Sequence, residues 1–256
     1  MYMKLTDVQF WDNYWANCKL PSIINYEFSF ERCLAYQLNK SLHESSGAIL
    51  EVGCAPGKWL AFAAQELGLK PSGIEYSKAG MEATKKNFSL IGIESGFVEY
   101  GDFFEIKPHK QFDIVMSLGF IEHFSNVDDV VDLHLQWLKP GGTLVLGVPN
   151  FRGIYHPIQA ILDKTILEKH NLEIMNLCYF TGLANRFGMR IKFLDYIGSF
   201  EPALPIARSG VRNPLEFAVK GFLWLSRRIR RIHMVDFVNS RFFSSYILAI
   251  FQKKIN

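Results

Sequence analysis

A chain of 256 residues, 49% hydrophobic and 21% charged, can bury a core without staples and has the composition of an ordinary water-soluble globular protein. The four cysteines (Cys18, Cys33, Cys54, Cys178) show neither a CxxC pair nor a framework spacing, which argues against disulfides and structural zinc and for a reducing cytoplasm. Net charge is +3, but residues 208–241 hold eight Lys/Arg and two Asp/Glu, so that stretch carries +6 and the rest −3; one local anionic contact is expected, and a general nucleic-acid binder is not.

Met1 to Trp15 lacks the apolar h-region of a signal peptide, and no apolar run approaches the ~20 residues that cross a bilayer. Residues 5–43 read as helical and rich in aromatics, a lid-like segment (1–44) ahead of the core. Ala48–Val52 is a short apolar run before glycines, read as a buried strand, and residues 58–67 follow at helical spacing up to Gly68. A second strand ends at Glu75, a helix runs from about Ala79 to Leu90, and Phe97–Tyr100 and Phe112–Met116 are the next strands. Asp128 to Leu138 is a helix stopped by Pro140-Gly141-Gly142, and Thr143–Val148 is a fifth strand. Helices near 158–170 and 174–187, a strand at Met189–Ile197 and a last strand at Tyr246–Phe251 complete the pattern. This alternation predicts an α/β fold, a doubly wound, mostly parallel seven-stranded sheet with a helical insertion (about 200–244) before the last strand. Residues 45–150 would be the ligand-binding core and 151–256 the acceptor side, within one domain.

In such sheets ligands lie outside the carboxyl ends of the strands. The first strand leads into Glu51-Val-Gly53-Cys54-Ala55-Pro56-Gly57, where glycines allow a sharp turn and bring backbone N–H groups close to a ligand. Its GxAxG spacing is not the dinucleotide GxGxxG, and no Gly-Lys-Ser/Thr follows to make a P-loop. Glu75 comes 22 residues after Gly53, near the ~20-residue offset at which an acid reaches ribose hydroxyls. Tyr76 follows it. Asp102-Phe103, after the third strand, can accept from an adenine amino group and cover the ring.

The order Glu51-Val-Gly-Cys-Ala-Pro-Gly57, Gly73-Ile-Glu75, Gly101-Asp102, Phe112-Asp-Ile-Val115, Glu122-His123 and Leu138-Lys-Pro-Gly-Gly-Thr-Leu144 resembles the class I S-adenosylmethionine methyltransferases over roughly residues 45–150. The resemblance implies S-adenosyl-L-methionine as cofactor. The 53–57 turn (with Glu51, Cys54 and Ala55) would hold its methionine part, Glu75 and Tyr76 its ribose, Asp102 and Phe103 its adenine, and Ser117 and Leu118 the methyl-donor side. A second resemblance, Gly147-Val-Pro149-Asn150-Phe-Arg152-Gly-Ile-Tyr155 with Leu167-Glu-Lys-His-Asn171, is to methyltransferases encoded with bacterial surface-polysaccharide enzymes.

A hydroxyl acceptor needs somewhere to send its proton, and imidazole titrates near operating pH, so His123 is the first candidate general base and His156 the second. Glu122 is expected to shape the site. Trp11, Tyr14 and Trp15 are candidates to steady the sulfonium cation. No His/Asp/Glu cluster shows metal-ligand spacing along the chain, so no metal is expected. The expected activity is methyl transfer to a hydroxyl of a small or glycan-linked acceptor. A quinone or other lipid-soluble phenol is the alternative acceptor, and a non-catalytic adenosyl-ligand binder is the alternative of another class. No obligate protein partner is implied. Leu215, Val219, Phe222, Leu225, Ile229 and Ile232 share one helical face beside Arg227, Arg228, Arg230 and Arg231, so residues 214–232 read either as a core-packing helix with a solvated basic end or as an interfacial helix that meets anionic lipid peripherally at the inner face of a membrane.

Overall fold

The computed structural model describes residues 4–43, 45–93, 97–201, 204–205, 214–229, 236 and 238–255. Ile232, Arg230 and Arg231 lie outside them, as do the side chains of 227–229.

Seven strands form one sheet in the order β3-β2-β1-β4-β5-β7-β6. β1 (Ala48–Val52), β2 (Lys70–Glu75), β3 (Phe97–Tyr100), β4 (Phe112–Leu118) and β5 (Leu138–Pro149) are parallel, whereas β7 (Tyr246–Gln252) runs antiparallel between β5 and β6 (Arg190–Ile197). The predicted fold class is the observed one. Strand order reverses between β1 and β4, which fixes the ligand crevice at the carboxyl ends there.

Buried strands covered on both faces read as continuous apolar runs, because alternate residues enter different cores. Val115, Leu144, Leu146, Val148, Ile247 and Ala249 face one layer, with α5 (Val127–Gln136) and α7 (Leu177–Arg186) packed on it. Ile114, Met116, Val145, Leu248 and Ile250 face the other, where α2 (Ser29–Leu42) places Leu34, Leu38 and Leu42 beside α3 (Lys58–Leu67) and α4 (Lys78–Ile91). α2 is therefore a core helix. The lid expected from residues 1–44 reduces to α1 (Val8–Trp15), which buries no residue fully, and residues 4–7 before it, where Lys4 bridges Phe124.

Two further expectations are corrected. Pro140-Gly141-Gly142 does not separate helix from strand. β5 already begins at Leu138, and its register against β4 shifts between Phe112 and Ile114, where Gly141 turns at φ +74°. The helix expected near 158–170 starts earlier, as α6 (Tyr155–Glu168), and is interrupted at Asp163. α8 (Pro214–Ile229) follows, packing Leu223 against Ile158 and Leu162 of α6.

Candidate functional site

A cavity of about 410 Å³ opens over the carboxyl ends of the parallel strands, within the ~300–1,000 Å³ typical of small-molecule sites. Gly53, Ala55, Glu75, Tyr76, Asp102, Phe103, Leu118 and His123 line it, so the fold brings together eight of the thirteen site residues expected from sequence.

The turn after β1 is built by glycine. Gly53 has φ +72° and its N–H donates to Ile74 O at 2.9 Å, and a Cβ there would stand 2.9 Å from the Phe120 ring. The missing side chain leaves backbone exposed to a ligand. Glu75, at the end of β2, accepts from Ala55 N–H at 3.0 Å and from Ser77 N–H at 2.9 Å. It thereby ties the turn to the start of α4, which Ser77 caps by accepting from Gly80 N–H. Burial, opposed by these backbone donors, raises the Glu75 carboxyl above its ordinary value. A desolvated carboxylate with unused lone pairs suits a vicinal diol. Asp102, after β3, accepts from Phe104 N–H and is paired with Lys4, whose ammonium also sits over the Tyr76 ring.

α1 closes the top. Phe10, Trp11, Tyr14 and Trp15 all face the cavity, and Trp11 meets the His123 ring edge-to-face at 5.0 Å. The latch is Asp12, which accepts from Ser77 Oγ at 2.6 Å and Ala79 N–H at 3.2 Å; these donors hold its carboxyl below the usual range. Each such bond contributes about 0.5–1.5 kcal/mol. Asp12→Ala is therefore expected to speed cofactor release by about three- to tenfold per bond lost, read by stopped-flow dissociation, with little change in thermal stability. An unchanged release rate would show that α1 does not gate the cavity.

Four expected cofactor residues lie beneath the cavity. Cys54 packs its sulfur where a Cβ of Gly73 would be, and Gly57 caps α3 where a Cβ would strike Thr84 and Phe88, so both serve the joint between turn and helices. Glu51 and Ser117 are buried under the crevice, and Glu51 Oε2 and Ser117 Oγ have no protein hydrogen-bond partner. Unsatisfied polar atoms at the ends of β1 and β4 fit a polar cofactor tail reached directly or through water. His156 is corrected. It is exposed on the first turn of α6, because the helix turns Tyr155, Ile158 and Gln159 inward and leaves position 156 outside.

His123 follows β4 on a 3-10 turn (Ile121–His123) and is buried. Its Nδ1–H donates to Lys169 O at 2.8 Å, leaving Nε2 as the lone-pair nitrogen. Burial, assisted by His170 and Lys169, pushes its pKa down to about 3. Such a ring is a hydrogen-bond acceptor and a weak proton acceptor, so it departs from the near-neutral base that the sequence suggested. Glu122, wholly buried, is pushed up to about 8 by burial, and its Oε1 lies 3.8 Å from His123 Nε2.

His170, lowered to about 4 by burial, was not expected here. Its ring centroid is 4.5 Å from that of His123, and both line the cavity. Asn171 docks this segment, its N–H donating to Glu122 O at 2.6 Å and its Nδ2 to Phe124 O at 3.1 Å. Local sequence carries no sign of a contact 47 residues long. The expectation of no metal cluster rested on spacing along the chain, but the fold places ligand atoms of Glu122, His123 and His170 within 4.8 Å of one another.

A family model described as a methyltransferase domain matches residues 27–187. The chain is 30% identical over 151 residues to a ubiquinone biosynthesis O-methyltransferase of Rhodopseudomonas palustris (strain BisB18), covering 56% of this chain and 57% of that protein. It is 29% identical over 133 residues to the mitochondrial enzyme of the same name from Schizosaccharomyces pombe, covering 51% and 46%. It thus spans about half the length of these curated relatives. Among solved structures, a SAM-dependent methyltransferase from Thiobacillus denitrificans in complex with S-adenosyl-L-homocysteine superposes with a TM-score of 0.57 at 18% identity, covering 92% of this chain and 95% of that one. With its sheet order, glycine turn and matched domain, the chain belongs to the class I S-adenosylmethionine-dependent methyltransferase family.

Proposed function

We propose that this protein transfers the methyl group of S-adenosylmethionine to a hydroxyl of an apolar ring acceptor of the lipid-soluble phenol or quinol class. The carrying observation is the composition of the cavity on its β4–β5 side. Phe124, Phe151, Ile166 and Leu204 wall it, Phe10 and Trp11 cover it, and its polar groups are two neutral imidazoles. Among the described residues the cation that lines the cavity is Lys4, paired with Asp102 on the β3 side, so the described β4–β5 wall suits an apolar ring better than a sugar diphosphate. The names of the relatives fit the same acceptor class.

The bound cofactor would supply an activated sulfonium methyl, and the remaining task is alignment of oxygen, carbon and sulfur. Such positioning contributes about 7–11 kcal/mol in favourable cases. Glu75 and the Gly53 turn would fix the nucleoside and its tail, and Phe120 and Leu118 would set the floor between cofactor and acceptor.

α8 supports delivery from a membrane surface. Leu215, Phe217, Phe222, Trp224 and Leu225 are all exposed, forming a broad apolar face, whereas Glu216 and Leu223 turn inward. The face expected from sequence is thus split: Val219 packs on α6, and Phe217 and Trp224 join the exposed side. The +6 stretch that contains it complements anionic headgroups. No helix among the described residues is long and apolar enough to cross a membrane, so the contact proposed is with a membrane surface. Phe200 bridges α8 to α6, 5.7 Å from Phe222 and stacked on Tyr155.

The test is transfer of radiolabelled methyl to prenylated catechols, simple phenols and a polysaccharide extract side by side. Label confined to the polysaccharide would overturn the acceptor class, and cofactor binding with no label anywhere would favour a non-catalytic binder. Sedimentation with anionic vesicles should fall several-fold in the Phe217→Ser, Trp224→Ser double variant, since each aromatic buries about 1.5–3 kcal/mol of apolar surface. Equal sedimentation would remove the membrane contact.

A further inference from the structure

We propose that Glu122, His123 and His170 form a binding site for a divalent transition cation of the zinc type, in the acceptor half of the cavity. A carboxylate and two imidazole nitrogens lie within 4.8 Å of one another, and Glu122 and His123 are buried. Both rings are already oriented as ligands. Nδ1–H of His123 donates to Lys169 O at 2.8 Å and Nδ1–H of His170 to Ile166 O at 2.6 Å, so each presents Nε2 as a lone pair. Carbonyls bound to the second nitrogen are the usual support of metal-ligating histidines, because they fix tautomer and ring angle.

An independent observation points the same way. Glu122 is 1% exposed and its Oε2 has no hydrogen-bond partner, a costly arrangement unless something else satisfies it. Oε1 already lies 3.8 Å from His123 Nε2. Ligand atoms on one tetrahedral zinc sit about 3.4 Å apart for bonds of ~2.1 Å, so a small contraction of side chains closes the site. Two nitrogens with one oxygen favour zinc-type cations over magnesium, which prefers an all-oxygen shell. Three protein ligands leave positions open toward the cavity, where His123 and His170 form its wall.

The consequence for catalysis rests on the acceptor reading above; the site itself does not. A hydroxyl oxygen on the cation would lose its proton to water more readily, and the new O–CH3 bond would form as the S–CH3 bond breaks, giving a methyl ether and S-adenosylhomocysteine.

The experiment uses the full chain after dialysis against a chelator. Calorimetric titration with Zn2+ is expected to show one site of micromolar or tighter affinity, weakened at least tenfold in Glu122→Gln and in His170→Ala and unchanged in His156→Ala. Co2+ titrated into the wild type should give the intense visible absorption of a low-symmetry N/O site, a readout that needs no variant. Retained S-adenosylmethionine binding certifies that each variant is folded. Zn2+ uptake equal in wild type and both site variants, or no Co2+ band, would overturn the site. Undiminished methyl transfer by the chelated protein to a phenol would overturn the cation's catalytic role and leave the acceptor reading standing, whereas Zn2+ binding without transfer to any apolar acceptor would do the reverse.

Discussion

Glu75→Gln is expected to raise the dissociation constant for S-adenosylmethionine by about 10–100-fold while leaving the fold in place, because hydrogen bonds to a charged acceptor contribute about 1.5–3 kcal/mol. The carboxylate closes β2, holds Ala55 N–H and Ser77 N–H, and lines the cavity, so one group both builds the turn and faces the space proposed for the ribose. Glutamine keeps the shape and one acceptor oxygen but turns the other into a donor. That donor must oppose either a backbone N–H or the diol. Glu75→Ala is a harsher change, since it strands two backbone donors at about 1–3 kcal/mol each and should lower stability as well as affinity. Calorimetric titration beside thermal unfolding separates the two effects. Wild-type affinity in Glu75→Gln would remove this residue from the nucleoside.

The fold class and the cavity at the tips of the first strands were legible in the sequence because both are written locally. Short apolar runs leading to Gly53, Glu75 and Asp102 announce parallel strands, and the residues just past the strand tips border the crevice. The acceptor half was not legible, because distant segments assemble it. His170 reaches His123 through the docking of Asn171 on Glu122 and Phe124, and Leu204 enters from the chain beyond β6. The same blindness misplaced His156, since an exposed first-turn position looks identical on paper to an inward one. Ser117 and Glu51 lie under the cavity and not in its wall, because strand alternation decides whether a residue faces the crevice or lies beneath it, and a one-residue step reverses the answer. Residue type was also a poor guide to proton affinity. An imidazole reads as a neutral-pH base until burial is known, and burial places His123 at about 3 and Glu122 at about 8.

Gly53→Arg is expected to abolish detectable cofactor binding, and the same backbone strain applied at Gly57 isolates the reason. Both glycines sit in the left-handed region, at φ +72° and +82°, where a side chain costs roughly 1–2 kcal/mol. At Gly53 the new side chain enters the cavity beside Phe120, displacing the ring and filling the space proposed for the methionine tail. At Gly57 a methyl instead meets Thr84 Cγ2 at 2.7 Å and Phe88 Cε1 at 2.8 Å, inside the packing between α3 and α4 and away from the cavity. Gly57→Ala should therefore lower the melting temperature by several degrees, as about 1–3 kcal/mol of overpacking does in a domain of this size, while its folded fraction binds S-adenosylmethionine with near-normal affinity. Gly53→Arg should show a comparable loss of stability with no heat of binding at all. If both variants bound alike, the cavity over β1 and β2 would not be the place where the cofactor lies.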